Sequence, residues 1–175
     1  MARDDILVTA LAMLDEGGGQ GLTMRALASR LGVTPMSLYH HVEDRAGLLR
    51  ALSDRVYGEV LEAADGELDP LAQVRALLVR YHDAVGRHPQ LTLAIFAEPR
   101  AFAGVSRQLT ERLGDLLANV TPYSLLWRDI LIDHAHGSGL AVVSVRGDSL
   151  QVDAIREQYA KAVDCLLGEL TRTHG

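Results

Sequence analysis

The chain reads as an all-α protein, on three observations. Apolar residues recur at three- and four-residue intervals from the first helix to the last, and no stretch shows the apolar-polar alternation of a strand. Pro70, Pro89, Pro99 and Pro122 stand at the borders of these periodic segments, where proline opens or stops a helix. Composition agrees: 48% of residues are hydrophobic but only 5% aromatic, the balance of a Leu/Ala/Val-rich helical core. A length of 175 residues allows one large or two small domains with a sizeable core.

The first helix begins at Asp4 and Asp5, acidic residues that suit the positive end of a helix dipole. Ile6, Leu7, Ala10, Leu11 and Leu14 form its apolar face, and Gly17-Gly18-Gly19 is expected to end it. Thr23 caps a second helix whose Leu27, Ala28 and Leu31 face inward. Gly32 then breaks that helix in the left-handed conformation open to glycine, and Val33 follows as a buried plug. Thr34 caps a third helix with Pro35 at its first position. Leu38 and Val42 are all the core that this third helix supplies.

This arrangement is a helix-turn-helix. Ala28 is small where two helices cross. The third helix keeps Pro35, Met36, Ser37, Tyr39, His40 and His41 outside, and a short exposed polar helix propped on two others is the form that enters a DNA major groove. The plain alternative is an αα-corner in a helical domain. Thr34, Pro35, Met36 and Ser37 lie at the end expected to meet base edges: a hydroxyl donates or accepts, and Met36 or Pro35 can touch a thymine methyl. His40 is open to phosphate or base. The His40-His41 pair does not suit a shared metal, because adjacent side chains diverge by about 100° around a helix.

From about Leu22 to Leu49 the sequence resembles the DNA-binding domain of the TetR family of transcriptional repressors. The resemblance is carried by LTMRALASRLGV and SLYHHVEDRAGLL, with the Leu38-Tyr39 pair and the basic Arg45 opening the next helix. It covers about the first third of the chain. It implies DNA contact by Thr23 and Arg25 of the second helix, phosphate contact by Tyr39 and His41, and a phosphate at Arg45, where helix-end N–H groups also favour an anion. Two departures stand out: Arg45 occupies a position usually held by Lys, which keeps the charge, and Glu43-Asp44 is acidic where some relatives are basic, which weakens phosphate contact. The formal net charge is −6, yet residues 23–50 carry Arg25, Arg30, Arg45 and Arg50 against Glu43 and Asp44, a local surplus of two positive charges. Binding is therefore expected to need two copies of a weakly basic surface.

A fourth helix, from about Asp44 to Ala63, carries Leu48, Leu49, Leu52, Val56 and Val60 and reads as a strut out of the head. DGELDP, from Asp65 to Pro70, is a polar break. The expected organisation is a three-helix helix-turn-helix DNA-binding domain at 1–47, joined by this long helix to a helical ligand-binding and dimerisation domain at 48–175. In the latter, helices are expected at Leu71–Arg87, between Pro89 and Pro99, at Phe102–Asn119, from Pro122 to about Val145, and over the stripe Val152, Ile155, Tyr159, Val163, Leu166 and Leu170, with a turn at Gly147-Asp148. Helices at 122–145 and 150–172 are expected to pair with their copies in a homodimer, since Gly137-Ser138-Gly139 and Ala141 would let a partner helix approach.

The family resemblance further implies a small-molecule effector. Tyr81, His82, Phe96, Phe102, Trp127 and His134 are the candidate ligand-binding residues, large or polar groups on segments able to converge. The partners expected are thus a double-stranded DNA operator, a second copy of the chain and an effector. No cofactor, metal or membrane partner is expected. Cys165 is the one cysteine, so no internal disulfide forms and a reducing, cytoplasmic compartment is expected. The start MARDDILVTA has charge where a signal peptide needs an apolar run. No GxSxG, phosphate loop, HExxH or paired CxxC appears, so an enzyme is the weak alternative. The expected function is a repressor that binds a palindromic operator and is released by an inducer; an activator or a ligand-independent regulator would use the same head.

Overall fold

The computed structural model describes residues 2–62, 68–145 and 148–172. Among them are nine α-helices: α1 Arg3–Gly21, α2 Met24–Leu31, α3 Pro35–Val42, α4 Arg45–Glu62, α5 Pro70–Arg87, α6 Pro89–Phe96, α7 Val105–Ala118, α8 Ser124–Ala141 and α9 Ser149–Arg172. Two 3-10 turns, Pro99–Ala101 and Val142–Val145, follow α6 and α8. No strand occurs among the described residues. The all-α expectation is met. Half of the Asp65–Pro70 break and half of the Gly147-Asp148 turn lie outside the described residues.

Two compact units form, each from two segments: Met1–Gly58 with His88–Ser106, and Glu59–Arg87 with Arg107–Gly175. The expected division after residue 47 assigned α6 to the second domain, whereas α6 packs on α1. α4 runs from one unit into the next.

The first unit is cored by Ile6, Leu14, Leu22, Leu27, Leu38, Leu48, Leu49, Leu52 and Leu91, all at most 1% exposed. α1 runs three residues past Gly17-Gly18 but breaks direction at Gly18, whose φ of 68° favours glycine. Gly19 lets α6 close in: a Cβ there would meet the Ala94 Cβ at 3.4 Å. Polar ties hold the returning segment on α4. Tyr57 Oη and Thr92 Oγ1 share a buried hydrogen bond of 2.7 Å, and the Ser53 and Ser106 hydroxyls lie 2.6 Å apart. Asp54 accepts from the Val105 N–H at 3.0 Å. The chain turns at Gly104 (φ 61°) before α7, so α7 starts three residues later than Phe102.

The second unit is cored by Val74, Leu78 and Val85 of α5, Leu109, Leu113 and Leu117 of α7, Leu131 and Ala135 of α8, and Val163 and Leu170 of α9. α5 packs on both α8 and α9. Arg75 of α5 grips Asp164 of α9 through two donors, at 2.5 and 3.1 Å. The approach of α5 to α8 corrects one expectation. Gly139 was expected to face a second subunit, but a Cβ on it would sit 2.7 Å from Val85 Cγ1, so its smallness serves packing within the chain. Gly137 has nothing within 4 Å of such a Cβ and Ala141 is exposed.

Candidate nucleic-acid interface

Local chemistry builds the helix-turn-helix. Thr23 Oγ1 accepts from the Ala26 N–H at 3.1 Å and so caps α2. α2 ends at Gly32 in the left-handed conformation, φ 67° and ψ 30°, with its N–H returned to the Ala28 and Ser29 carbonyls. Thr34 caps α3, accepting from the Ser37 N–H at 3.3 Å, and Pro35 takes the first helical position. Leu38 and Val42 are buried at 0% and 3% exposure and anchor the helix. Val33 is half-buried rather than a sealed plug. α3 then meets α4 at a backbone contact that only glycine permits, because a Cβ on Gly47 would lie 2.5 Å from the Val42 carbonyl oxygen.

The face left outside is the expected one. Thr34, Pro35, Met36, Tyr39, His40 and His41 are exposed, Met36 at 66%, and Ser37 is half-buried. Thr23 and Arg25 of α2 are exposed as well. One cap hydroxyl has a second use. Thr23 Oγ1 accepts from the backbone, which leaves its own hydrogen available to an outside oxygen. Thr34 Oγ1 and Ser37 Oγ lie 3.1 Å apart, so one of these two hydroxyls donates to the other.

The arginines divide in a way the sequence did not reveal. Arg30 forms a two-pronged pair with Glu16 of α1, its Nη2 at 2.8 Å. Arg50 lies 3.4 Å from Glu43. Arg45 is half-buried and turned inward: Nε donates to the Leu22 carbonyl at 3.3 Å and Nη2 to the Gly19 carbonyl at 3.0 Å. These carbonyls belong to the end of α1, where helix geometry leaves acceptors unpaired and the dipole is negative. The guanidinium expected to meet a phosphate thus also ties the start of α4 to the end of α1. Arg25 makes no hydrogen bond or ion pair with the described residues. Asp44 caps α4 through the Gly47 N–H at 2.8 Å, and that bond, with Arg100 beside it, holds its carboxyl below the usual range.

The ligand candidates separate. Tyr81, His82 and His134 fall in the second unit and join residues not singled out from sequence. Tyr81 Oη and His136 Nε2 lie 2.5 Å apart. His82, 1% exposed, stacks on Tyr159 at 3.9 Å and meets Ser138 Oγ through Nε2 at 3.0 Å. His134 stacks at 5.2 Å on Tyr159, and its Nε2 is buried without a hydrogen bond. Burial holds His136 below the ordinary imidazole range, against an opposing pull from Asp133. Trp127 is half-buried two turns before His134. Phe96 and Phe102 belong to the first unit, 51% and 49% exposed, because α6 goes with α1. Among the described residues no group of three or more His, Cys, Asp or Glu is placed to hold a metal. No helix among the described residues is long and apolar enough to cross a membrane.

Residues 6–52 match the family model described as bacterial regulatory proteins, tetR family. The chain is 29% identical over 122 residues to the nucleoid occlusion factor SlmA of Idiomarina loihiensis, covering 67% of this chain and 61% of that protein. It is 43% identical over 54 residues to the class C tetracycline repressor protein of Escherichia coli, covering 31% of this chain and 25% of that one. The match thus spans less than two thirds of the length of either relative. The crystal structure of BioQ from Mycobacterium smegmatis superposes with a TM-score of 0.80 at 25% identity, over 100% of this chain and 99% of that one. A helix-turn-helix with an exposed third helix, on the residues that match the family model and within an all-α chain, identifies the N-terminal head as a DNA-binding domain of the TetR family.

Proposed function

We propose that the protein is a homodimeric repressor that reads a palindromic operator with α3 and releases it when a small molecule binds the second unit. The observation that carries this reading is the outer face of α3: Met36, Tyr39, His40 and His41 are exposed while Leu38 and Val42 alone fix the helix. Thr34, Pro35, Met36 and Ser37 would meet base edges. Tyr39, His41, Thr23 and Arg25 would meet the phosphate backbone or its neighbouring bases. The protein would act in the cytoplasm, on chromosomal DNA.

Two copies are supported by unpartnered surface. On α8, Leu126, Ile130, Gly137 and Ala141 recur at intervals of four and seven, so they share one face, and all four are exposed. On α9, Ala154, Gln158 and Cys165 form a second exposed line. Between the two helices lies an open, mostly apolar groove of 460 Å³ that includes Ala141, Val145, Ala154 and Ile155. A four-helix bundle with a second copy would cover both lines. An effector is supported by the polar cluster around Tyr159, where the orphaned His134 nitrogen offers a hydrogen bond. Release follows by linkage: the effector lowers DNA affinity by the ratio of its affinities for the two head spacings.

Selection of bound duplexes from a random pool tests the reading. The expected outcome is an inverted pair of half-sites with centres about one helical turn, roughly 34 Å, apart. Failure to enrich any sequence, or enrichment of a single unpaired site, overturns it.

A further inference from the structure

Arg80, Asp83 and Arg87 are three and four residues apart on α5 and share one face of it. With Glu59 and Val60 at the end of α4 and Arg156 of α9 they line a surface cleft of 340 Å³. Three guanidinium groups meet the carboxylates of Glu59 and Asp83 in the lining, and Asp153 beside Arg156 supplies a third. Arg156 is shared between Asp83 at 3.2 Å and Asp153 at 3.4 Å. Arg80 reaches the Val60 carbonyl at 3.4 Å. Arg87, exposed at the last turn of α5, makes no hydrogen bond or ion pair with the described residues. Asp83 lies 3.7 Å from His82 Nδ1 and 3.2 Å from Arg156, and the Arg87 charge also helps to hold its carboxyl below the usual range without a direct pair to Arg87.

We infer that this cleft binds a small polyanion bearing carboxylate or phosphate groups, with Arg87 as the open fork and Arg156 as a second donor. Guanidinium is planar and matches either group with two parallel hydrogen bonds. Val60, 3% exposed, gives the cleft an apolar wall, and a low-dielectric wall concentrates the field of the charges beside it. Ligand entry asks Arg156 to exchange a solvent-exposed partner, a contact worth about 0–1 kcal/mol. Glu59 opposes the ligand. The inference is independent of whether the protein represses transcription, because binding is read directly.

The experiment is calorimetric titration of the full chain with citrate and, separately, pyrophosphate, which decides between carboxylate and phosphate. Four proteins are compared: wild type, Arg87→Gln, Glu59→Gln and Arg107→Gln, the last an exposed arginine on α7 paired with Glu111 at 3.5 Å. One saturable site per chain is expected for at least one anion. Arg87→Gln should weaken it about tenfold, the loss of roughly one charge-assisted pair. Glu59→Gln should tighten it, and Arg107→Gln should leave it unchanged. Circular dichroism verifies that the variants fold. Absence of saturable binding to either anion, equal weakening by Arg107→Gln, or no response to Arg87→Gln overturns the assignment.

Discussion

Arg45 separates a structural from a DNA-contacting role cleanly, because the two make opposite predictions. In the structure its guanidinium donates to two carbonyls at the end of α1, at 3.3 and 3.0 Å. A hydrogen bond from a charged donor is worth about 1.5–3 kcal/mol. The side chain is half-buried, which reduces both contributions, so Arg45→Ala should cost about 2–3 kcal/mol. In a chain of this size each kcal/mol moves the melting midpoint by about 2–4 °C, giving a fall of roughly 5–10 °C. Arg45→Lys should recover only part of it, since an ammonium cannot span both acceptors as a fork does. Differential scanning calorimetry reads this directly. Anisotropy titrations of operator and random duplexes at several salt concentrations, well below the variant's midpoint, supply the second readout. The salt slope should match wild type, because no phosphate contact has been removed. An unchanged melting midpoint together with a slope shallower by about 0.9 per head would refute the structural role and return Arg45 to the DNA backbone.

Four further outcomes follow from the same geometry. Arg25→Ala should reduce the salt slope by about 0.9 per head, whereas Arg30→Ala, which breaks the pair with Glu16, should leave it alone. Gly47→Ala should cost about 1–3 kcal/mol in urea denaturation, because its Cβ would press on the Val42 carbonyl, while Gly58→Ala, with open space around it, should stabilise α4 by about 0.5–1 kcal/mol. Leu126→Glu should shift sedimentation toward a 19.0 kDa species if the α8 line is covered by a second copy. Stability should fall as pH drops below the ordinary imidazole range of about 6.5: His136 is held below that value when folded, so the unfolded chain binds the proton more readily, and His136→Gln should flatten the decline.

What was legible in the sequence was local. Thr23, Gly32, Thr34 and Pro35 announce caps and a turn through their own conformational chemistry, and the structure uses each that way. Leu27, Ala28, Leu38 and Val42 announce a face through spacing, and all four are buried. What was not legible depends on which helix lies next to which. Nothing in LTLAIFA says that α6 returns to α1, so Phe96 and Phe102 were grouped with side chains of the other unit. Gly139 and Gly137 look alike in sequence, yet one is pressed against Val85 and the other faces open space. Arg45 looks like any basic residue at a helix start; its direction is set by where the last carbonyls of α1 arrive, twenty-six residues earlier at Gly19.

That direction changes how DNA affinity must arise. Counted from sequence, residues 23–50 offer four arginines to phosphate. In the folded head Arg30 and Arg50 face carboxylates and Arg45 faces carbonyls, which leaves Arg25. In the proposed complex Arg30 and Arg50 would reach phosphate only by exchanging their exposed carboxylate partners, so Arg25 would be joined largely by Thr23, Tyr39, His41 and the N–H groups at the starts of α2 and α3. Such contacts release few counterions, so one head should bind weakly and with a shallow salt dependence. In the proposed homodimer affinity would be recovered by holding two heads together, because the second then binds at an effective concentration set by the tether rather than by the bulk. A weakly charged head makes regulation easier. When each half contributes little alone, the proposed effector would need only to alter the distance between heads to remove most of the binding, without having to compete against a strong electrostatic hold on either half.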